Sequence, residues 1–132
     1  MQDVVLQESE DGSIVGTSLE EIQLRIAEAT AATGRLWSNV PKYPGWMAEA
    51  GFEDVRVERF RWPSNPTWPE DPKEKALGAW MLAQVDVAGL LESVCTRIFM
   101  MKLGWSKERL EEFLLRAKRD LRDGNMKVYS PV

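Results

Sequence analysis

The spacing of hydrophobic and polar residues along this chain changes between a helical and a strand period, and the clearest strand lies at residues 55–62. Valines alternate with charged residues in its first half, whereas Phe60 and Trp62 place apolar groups on the opposite face. Gly51, shortly before it, can adopt the left-handed conformation that ends a helix. We therefore predict a helix end, a tight corner and one strand, in this order.

Two further strands and several helices complete the pattern. Residues 3–7 carry consecutive apolar side chains, which predicts a strand buried on both faces, and a polar turn follows at residues 8–13. The other predicted elements are a helix with a capping box at Ser18 and Glu21, a short helix before Gly51, a stiff proline-rich loop at residues 63–72, an apolar helical region at residues 73–103 with a break near Gly89, an amphipathic helix capped by Ser106, and a last strand at residues 126–132.

These elements predict a single domain over residues 1–132, of the α/β class with an α+β-like arrangement. It contains a small mixed sheet of about three strands and four or five helices. A first strand that is apolar on both faces needs neighbours on both sides, and an uncovered edge of that kind is a template for pairing. We therefore expect a homo- or hetero-oligomer that forms through the first strand.

Composition and charge narrow the classes of function. A hydrophobic content of 44% with 29% charged residues is that of a soluble globular protein. A net charge of −4 without a basic cluster argues against a nucleic-acid partner. Asp86, Glu92 and Arg97 interrupt the apolar region too often for a membrane span, and nothing near Met1 marks a signal peptide. We therefore expect a cytoplasmic protein.

The residue types present also limit the chemistry. The chain contains no histidine, which excludes a Ser-His or Cys-His nucleophile pair and a histidine-ligated metal site. The one cysteine, Cys95, lies in an apolar helical run and is expected to be a buried thiol. Proton transfer would then depend on carboxylates, lysines or tyrosines. The candidate catalytic residues are Glu92, Tyr43 and Tyr129, whereas Asp86 is expected to be solvated or to cap a helix.

The order of these elements, with short motifs spread over nearly the whole chain, resembles the C-terminal half of fungal class I S-adenosylmethionine (SAM)-dependent methyltransferases of the LaeA-like kind. The motifs are Trp-Met-x-x-Ala-Gly-Phe-x-Asp-Val before the central strand, Trp-Pro at its end, Gly-x-Trp in the next helix and Gly-Trp-Ser before the amphipathic helix. The matching residues are Trp46, Met47, Ala50, Gly51, Phe52, Asp54, Val55, Trp62, Pro63, Asn65, Trp68, Pro69, Gly78, Trp80, Gly104, Trp105, Ser106 and Tyr129.

The resemblance implies that residues 1–7 correspond to the fifth strand of the class I sheet, with the last strand inserted between the other two. The half of that fold that binds SAM, with its acidic-Gly-x-Gly-x-Gly turn, has no counterpart here. No two glycines of this chain are closer than Gly12 and Gly16. The resemblance therefore implies no cofactor for this chain alone, and SAM only where a partner chain supplies the missing half.

What remains is the part that, in the family, covers the acceptor substrate. Most of the six tryptophans are expected in the core. Trp80 and Met81, beside the proline-rich loop, are predicted to line a hydrophobic substrate pocket, and Trp46 and Trp62 are further substrate-binding candidates.

Three functions remain open at this point. The first is a methyltransferase-like protein without its own SAM site, which acts as a binding module or subunit that completes a partner or a dimer in fungal secondary metabolism. The second is a small cofactor-free enzyme, a cyclase or isomerase, that reuses the acceptor pocket for a hydrophobic small molecule. The third is a truncated gene product or fragment of a SAM-dependent methyltransferase.

Overall fold

The computed structural model describes residues 6–31, 33–34 and 36–132. Within that part of the chain there are five α-helices and one sheet of three short strands, so the predicted fold class is confirmed. In chain order the elements are β1 (Glu8–Ser9), α1 (Ser18–Ala31), a 3₁₀ helix (Trp37–Lys42), α2 (Tyr43–Glu49), β2 (Arg61–Pro63), α3 (Pro72–Asp86), α4 (Leu90–Cys95), a π-helical turn (Thr96–Met100), α5 (Lys107–Arg122) and β3 (Val128–Pro131).

The sheet has the order β1-β3-β2, and every pairing described is antiparallel. The last strand of the chain therefore lies in the middle. Tyr129 of β3 opposes Glu8 of β1 on one side and Pro63 of β2 on the other. This is the insertion of the last strand between two earlier ones that the family resemblance implies.

The central strand is much shorter than predicted. Instead of residues 55–62, only Arg61–Pro63 form β2. Pairing with β3 extends one step further, since Phe60 and Val132 exchange two backbone hydrogen bonds of 2.9 Å. Residues 55–59 have no strand partner among the described residues, and a regular strand needs such a partner for its backbone groups.

The first strand is displaced from its predicted position. The strand predicted at residues 3–7 lies mostly outside the described residues, and its last two, residues 6 and 7, are not in a strand. The observed strand is Glu8–Ser9, inside the predicted polar turn. Its backbone pairs with β3, and this long-range pairing outweighs the local preference for a turn.

The N-cap of α1 lies one residue earlier than predicted, at Thr17. Thr17 Oγ1 accepts a hydrogen bond from the Glu20 N–H (3.4 Å), and the Glu20 carboxylate accepts one from the Gly16 N–H (2.7 Å). The predicted cap, Ser18, instead donates its N–H to the Asp120 carboxylate of α5 (2.8 Å). A side chain that is distant in sequence thus takes part in setting this helix end.

Other helix ends lie where the sequence predicts them. The Ser106 hydroxyl caps α5 by accepting a backbone hydrogen bond of 3.2 Å. Gly51 has a φ of +92° and closes α2, and the Phe52 N–H reaches back to the Met47 carbonyl (3.1 Å). Gly89, with a φ of +65°, separates α3 from α4, which confirms the predicted break.

The core lies where α1, α5, the π-helical turn and β3 meet. Phe99, Trp105 and Phe113 form an aromatic cluster with ring centroids 4.8, 5.3 and 5.6 Å apart. The predicted apolar stripe of α5 is buried along its whole length: Leu110, Phe113, Leu114, Ala117 and Leu121. The amphipathic pattern of this helix therefore identifies its core face correctly.

The apolar helices α3 and α4 remain largely at the surface. Of α3, only Gly78 and Val85 are buried by the described part of the chain. No single helix within the described ranges is long and apolar enough to cross a membrane. Within these ranges, one pair of helical segments, Pro72–Asp86 and Leu90–Met100, is long and apolar enough when the two are taken together. The chain bends by 61° between these two segments.

Candidate functional site

The first candidate residues lie where β2 meets α3. Trp62 of β2 and Trp80 of α3 are in edge-to-face contact, with ring centroids 6.2 Å apart and planes at 84°. Trp80 is 51% exposed, whereas Trp62 and Met81 are half-buried. Met81 follows Trp80 on the helix and therefore faces a different direction. The two indoles form an aromatic ledge, which here denotes Trp62 and Trp80, with one side open to solvent.

Trp46 lies on the short helix α2, in a second aromatic pair. Its ring contacts that of Tyr43, with centroids 5.7 Å apart. The described aromatic contacts do not connect this pair with Trp62 and Trp80. Together with three neighbours the pair lines a depression of about 190 Å³: Met47, Ala50 and Phe52. The predicted substrate-binding tryptophans are thus distributed over two surfaces.

Glu92 is held by a salt bridge between α4 and α5. The Lys118 ammonium donates a hydrogen bond to Glu92 Oε1. This bond lowers the pKa of Glu92 below its usual value, so the carboxylate is ionised at neutral pH. The second oxygen, Oε2, is enclosed and accepts no hydrogen bond from the described residues. Glu92 therefore binds Lys118 through Oε1, while Oε2 is shielded from solvent by its surroundings.

An open depression of about 630 Å³ lies beside Glu92. It is formed by α4 and the π-helical turn, a helix distortion that is frequent at functional sites. Its lining combines a carboxylate, two hydroxyl groups, a guanidinium group and two thioethers: Glu92, Ser93, Thr96, Arg97, Met100 and Met101. Methionine side chains adapt to apolar ligands of irregular shape, so this lining suits an apolar molecule that carries a polar donor.

Cys95, on the same helix, does not take part in this surface. Its side chain is 0% exposed, which confirms the expected buried thiol. Burial raises the pKa of Cys95 to about 12, and the nearby charge of Glu92 acts in the same direction. The thiol is therefore protonated at neutral pH and is not a nucleophile.

Tyr129, a candidate proton donor, has a structural partner. It lies in β3 directly opposite Glu8 of β1, and its hydroxyl donates a hydrogen bond of 2.9 Å to Glu8 Oε2. This hydrogen bond, with a smaller effect of burial, raises the pKa of Tyr129. A tyrosine that holds its proton more tightly is a weaker acid at neutral pH.

Arg61 of β2 joins three elements on the same face of the sheet. Its guanidinium donates to both oxygens of Glu74 in α3, at 3.1 and 3.0 Å, and to Glu10 just after β1. It also lies 5.8 Å from the ring centroids of Trp68 and Tyr129. Bidentate pairing and ring contacts of this kind position the guanidinium between its neighbours. Arg61 therefore connects the sheet with α3 through these ion pairs.

The sequence patterns did not single out Arg61 or Glu74, and Asn65 entered only as one of the residues that match the family. Asn65 is 1% exposed, and its amide donates to the Met126 carbonyl (3.1 Å), which fixes the proline-rich loop against the turn before β3. For Arg61, the one signal in the sequence was its placement between Phe60 and Trp62 in a strand. An arginine at that position packs against neighbouring aromatic rings when the strand is paired.

The loop between β1 and α1 resembles a nucleotide-binding turn only in its order of strand, glycines and helix. The backbone amides at the start of α1 are already occupied, since the Gly16 N–H donates to Glu20 and the Ser18 N–H to Asp120. A Cβ on Gly12 or Gly16 would meet nothing within 4 Å, so neither glycine serves a close approach to another described part of the chain. The amides of Gly16 and Ser18 are therefore not free to bind a ligand at this turn.

Comparison with known proteins connects the chain to fungal methyltransferases. A probable methyltransferase of Emericella nidulans, tdiE, is 33% identical over 125 residues, which are 94% of this chain and 38% of the relative. The methyltransferase pytC of Aspergillus terreus is 30% identical over 103 residues, which are 77% of this chain and 31% of the relative. The resemblance to fungal methyltransferases that the sequence motifs predict is thereby confirmed.

The chain spans about a third of the length of the curated relatives it matches. No protein-family profile matches the chain. No solved structure matches it either.

Proposed function

We propose that this protein is the acceptor-side part of a SAM-dependent methyltransferase in fungal secondary metabolism, because it matches one part of fungal methyltransferases. It lacks its own SAM site and acts as a subunit or interaction module that completes a methyl-donor part. That donor part lies in the same polypeptide or in another chain. A hydrophobic small molecule, the methyl acceptor, contacts this chain.

The observation that carries the proposal is the position of β3. In the class I fold that the sequence resembles, the last strand lies between two earlier strands at one end of the sheet. β3 lies between β1 and β2 in the same way. The chain also covers only a minor part of each relative. Both observations are expected of a part that carries the end of the sheet while the donor-binding strands lie elsewhere.

The aromatic ledge supports an apolar acceptor. Trp62 and Trp80 offer two indole surfaces, and Trp80 is half exposed. Pockets for small molecules are mostly lined by aromatic and apolar side chains with few polar groups. A ledge of this kind supplies one wall of such a pocket when a second wall covers it.

Calorimetric titration with SAM tests the proposal. We expect the chain alone to show no binding. A separate polypeptide with the part of tdiE that has no counterpart in this chain should bind SAM, and its affinity should rise when this chain is added. A micromolar complex between SAM and the chain alone would overturn the proposal. The proposal would also be overturned if the affinity of the donor part for SAM did not change when this chain is added.

A cofactor-free enzyme is a second candidate, and the depression beside Glu92 favours it. Glu92 Oε2 is enclosed without a partner among the described residues, beside a depression that contains two methionines. A depression that combines an ionised carboxylate with methionines suits an apolar molecule that carries a cationic group. Binding of 2-naphthylmethylamine, followed by NMR, tests this site: Glu92→Gln should weaken binding by about tenfold, whereas Glu111→Gln should not. Equal binding by both variants would count against it.

A further inference from the structure

We propose that the outer sides of α3, α4 and the π-helical turn form a surface that binds a lipid bilayer with anionic lipids. The proposal goes beyond the proposed function, because it concerns where the protein resides rather than which group it transfers. The surface is called the α3–α4 surface and consists of exposed apolar side chains: Trp80, Val87, Leu90, Val94 and Met101.

One side of α3 is apolar along the helix and has no cover within the described chain. The residues on this side stand at helical spacing and are exposed: Ala76, Ala79, Trp80, Ala83 and Val87. Gly78 and Val85, the buried residues of α3, lie on the opposite side. A helix as apolar as this one is normally enclosed by other parts of a protein. The outer side of α3 therefore lacks the contacts that such a helix usually has.

The segment after the bend continues this surface. Three of its apolar side chains are 39%, 38% and 74% exposed: Leu90, Val94 and Met101. Cys95 and Phe99, on the other side of the segment, belong to the same core as Val85 of α3. Because both segments turn their buried sides to one core, their exposed sides point away from it. Val87, at the bend between them, is 87% exposed.

The acidic residues of this region are engaged with α5. Residues 75–102 contain two of them, Asp86 and Glu92. Asp86 pairs with Arg122, and Glu92 pairs with Lys118. Charged side chains that approach lipid are tolerated mainly when they are paired in this way. The two carboxylates that interrupt the apolar pattern in the sequence are therefore a smaller obstacle to lipid contact in the folded chain.

Basic residues lie at both ends of the α3–α4 surface. Lys75 lies at its start, Arg97 and Lys102 lie at its far end, and all three are exposed. The neighbouring Glu74 is already paired with Arg61. Lysine and arginine can keep their stems on apolar surface while their charges reach the headgroups, and anionic lipids attract them. This distribution of charge complements a bilayer with anionic lipids.

The composition of the two segments also favours lipid. Taken together, Pro72–Asp86 and Leu90–Met100 reach the length and hydropathy of a membrane segment, and the chain bends by 61° between them. A bent pair with one apolar side suits the interface of a bilayer, where this side enters the lipid and the rest of the protein stays in water.

The methyl-donor part of the proposed enzyme belongs at the other end of the sheet. α3 packs on β2, and β3 separates β2 from β1. In the class I order that the chain resembles, the preceding strands adjoin the free edge of β1. The donor part therefore leaves the α3–α4 surface open. Trp80 belongs to this surface and to the aromatic ledge, so an apolar acceptor dissolved in the bilayer would reach the ledge directly.

Cosedimentation of the chain with lipid vesicles tests the proposal. Vesicles of phosphatidylcholine and phosphatidylserine should bind the chain, and vesicles of phosphatidylcholine alone should bind it more weakly. Val87→Asp and Met101→Asp should each lower the partition constant about tenfold or more, because they place a charge where the surface enters the lipid. Lys102→Gln should lower it about fivefold for the anionic vesicles only.

The matched control is Leu24→Asp. It introduces the same charge at a leucine that is 63% exposed on α1, and it should change the partition constant less than about twofold. Equal weakening by Leu24→Asp and Val87→Asp would reveal a general effect of charge and would overturn the proposal. Circular dichroism of each variant checks that the fold is retained.

Two further outcomes would contradict lipid binding. The proposal is wrong if the unmodified chain remains in solution with both kinds of vesicle. It is also wrong if light scattering without lipid shows a dimer that is lost in Val87→Asp, because the surface then binds a second copy of the chain. The titration with SAM needs no vesicles, so the proposed function holds or fails independently of these results.

Discussion

Gly78 of α3 lies directly against the backbone of Asn65 in the proline-rich loop, so that a Cβ at Gly78 would lie 2.3 Å from the Asn65 carbonyl oxygen. The atoms it would meet next belong to the same peptide unit, at 2.5 and 2.9 Å. Backbone atoms cannot move aside as the end of a flexible side chain can. This close approach lets α3 pack on the loop that leads from β2.

Gly78→Ala should destabilise the fold, because the methyl group forces α3 and the loop apart. We expect a loss of about 3 kcal/mol in the free energy of unfolding, measured by urea denaturation. Gly45→Ala is the matched control, since a Cβ at Gly45 in α2 would meet nothing within 4 Å. The control should leave stability unchanged or raise it by about 0.5 kcal/mol. Equal stability of the two variants would contradict the packing described.

Asn65→Ala should also destabilise the protein. The substitution leaves the buried Met126 carbonyl without its donor, and it removes the acceptor of the Thr67 N–H (3.1 Å). The expected cost is about 2 kcal/mol in the free energy of unfolding, as for other buried polar groups that lose a partner. Asn125→Ala, at an exposed position, should stay within about 0.5 kcal/mol of the parent. A similar effect of both variants would show that burial of Asn65 is unimportant.

The salt bridge of Glu92 should add a small pH dependence to stability. Because the hydrogen bond from Lys118 lowers the pKa of Glu92 in the folded chain, the stabilisation is complete above the usual value of 4.5 and is lost as the pH falls through the lowered one. The Glu92 side chain is 43% exposed, so we expect less than about 1 kcal/mol.

Urea unfolding as the pH is lowered from about 6 to about 3 measures this contribution. In Glu92→Gln the part of the acid destabilisation that belongs to this carboxylate should be absent. Glu111→Gln removes another surface carboxylate of a lysine pair and should retain the Glu92 contribution. A Glu92→Gln variant with the parent's pH dependence would refute the assigned role of Lys118.

Cys95 should be unreactive in the folded protein. Its burial raises the pKa of the thiol to about 12, so little thiolate exists near pH 8 and reagents have no access. Modification by a chromogenic disulfide should be at least about 100-fold slower in the native chain than in denaturant. The same raised pKa makes stability fall as the pH rises above the unfolded value of 9.0. Rapid native labelling would show that α4 opens readily.

The family resemblance and the sheet order were accessible from the sequence, but the extents of the strands were not. Residues 55–62 have a strand pattern, yet only those that reach β3 become a strand. Conversely, the polar stretch that contains Glu8 becomes β1 because Tyr129 and its neighbours lie opposite. Strand formation depends on a partner that is distant in sequence, so local patterns cannot locate its ends.

The candidate site residues show the same division. Glu92 was selected because a carboxylate in an apolar run is unusual, but its pairing with Lys118 depends on how α4 packs on α5. The tryptophans were selected as a set, and the fold placed Trp62 against Trp80 and Trp46 against Tyr43. Arg61 carried too little local signal and Asn65 appeared only as a match to the family, because the importance of both residues comes from neighbours in space.

The sequence by itself determined the helix α5 with its buried stripe and its cap at Ser106, the helix end at Gly51, the break at Gly89 and the relation to fungal methyltransferases. These features depend on local periodicity, on glycine conformation and on short motifs. Only the tertiary structure decided where β1 and β2 begin and end, which tryptophans pair, and that α2 has no cover within the described chain. Those properties arise from contacts between residues far apart in the sequence, which no local pattern contains.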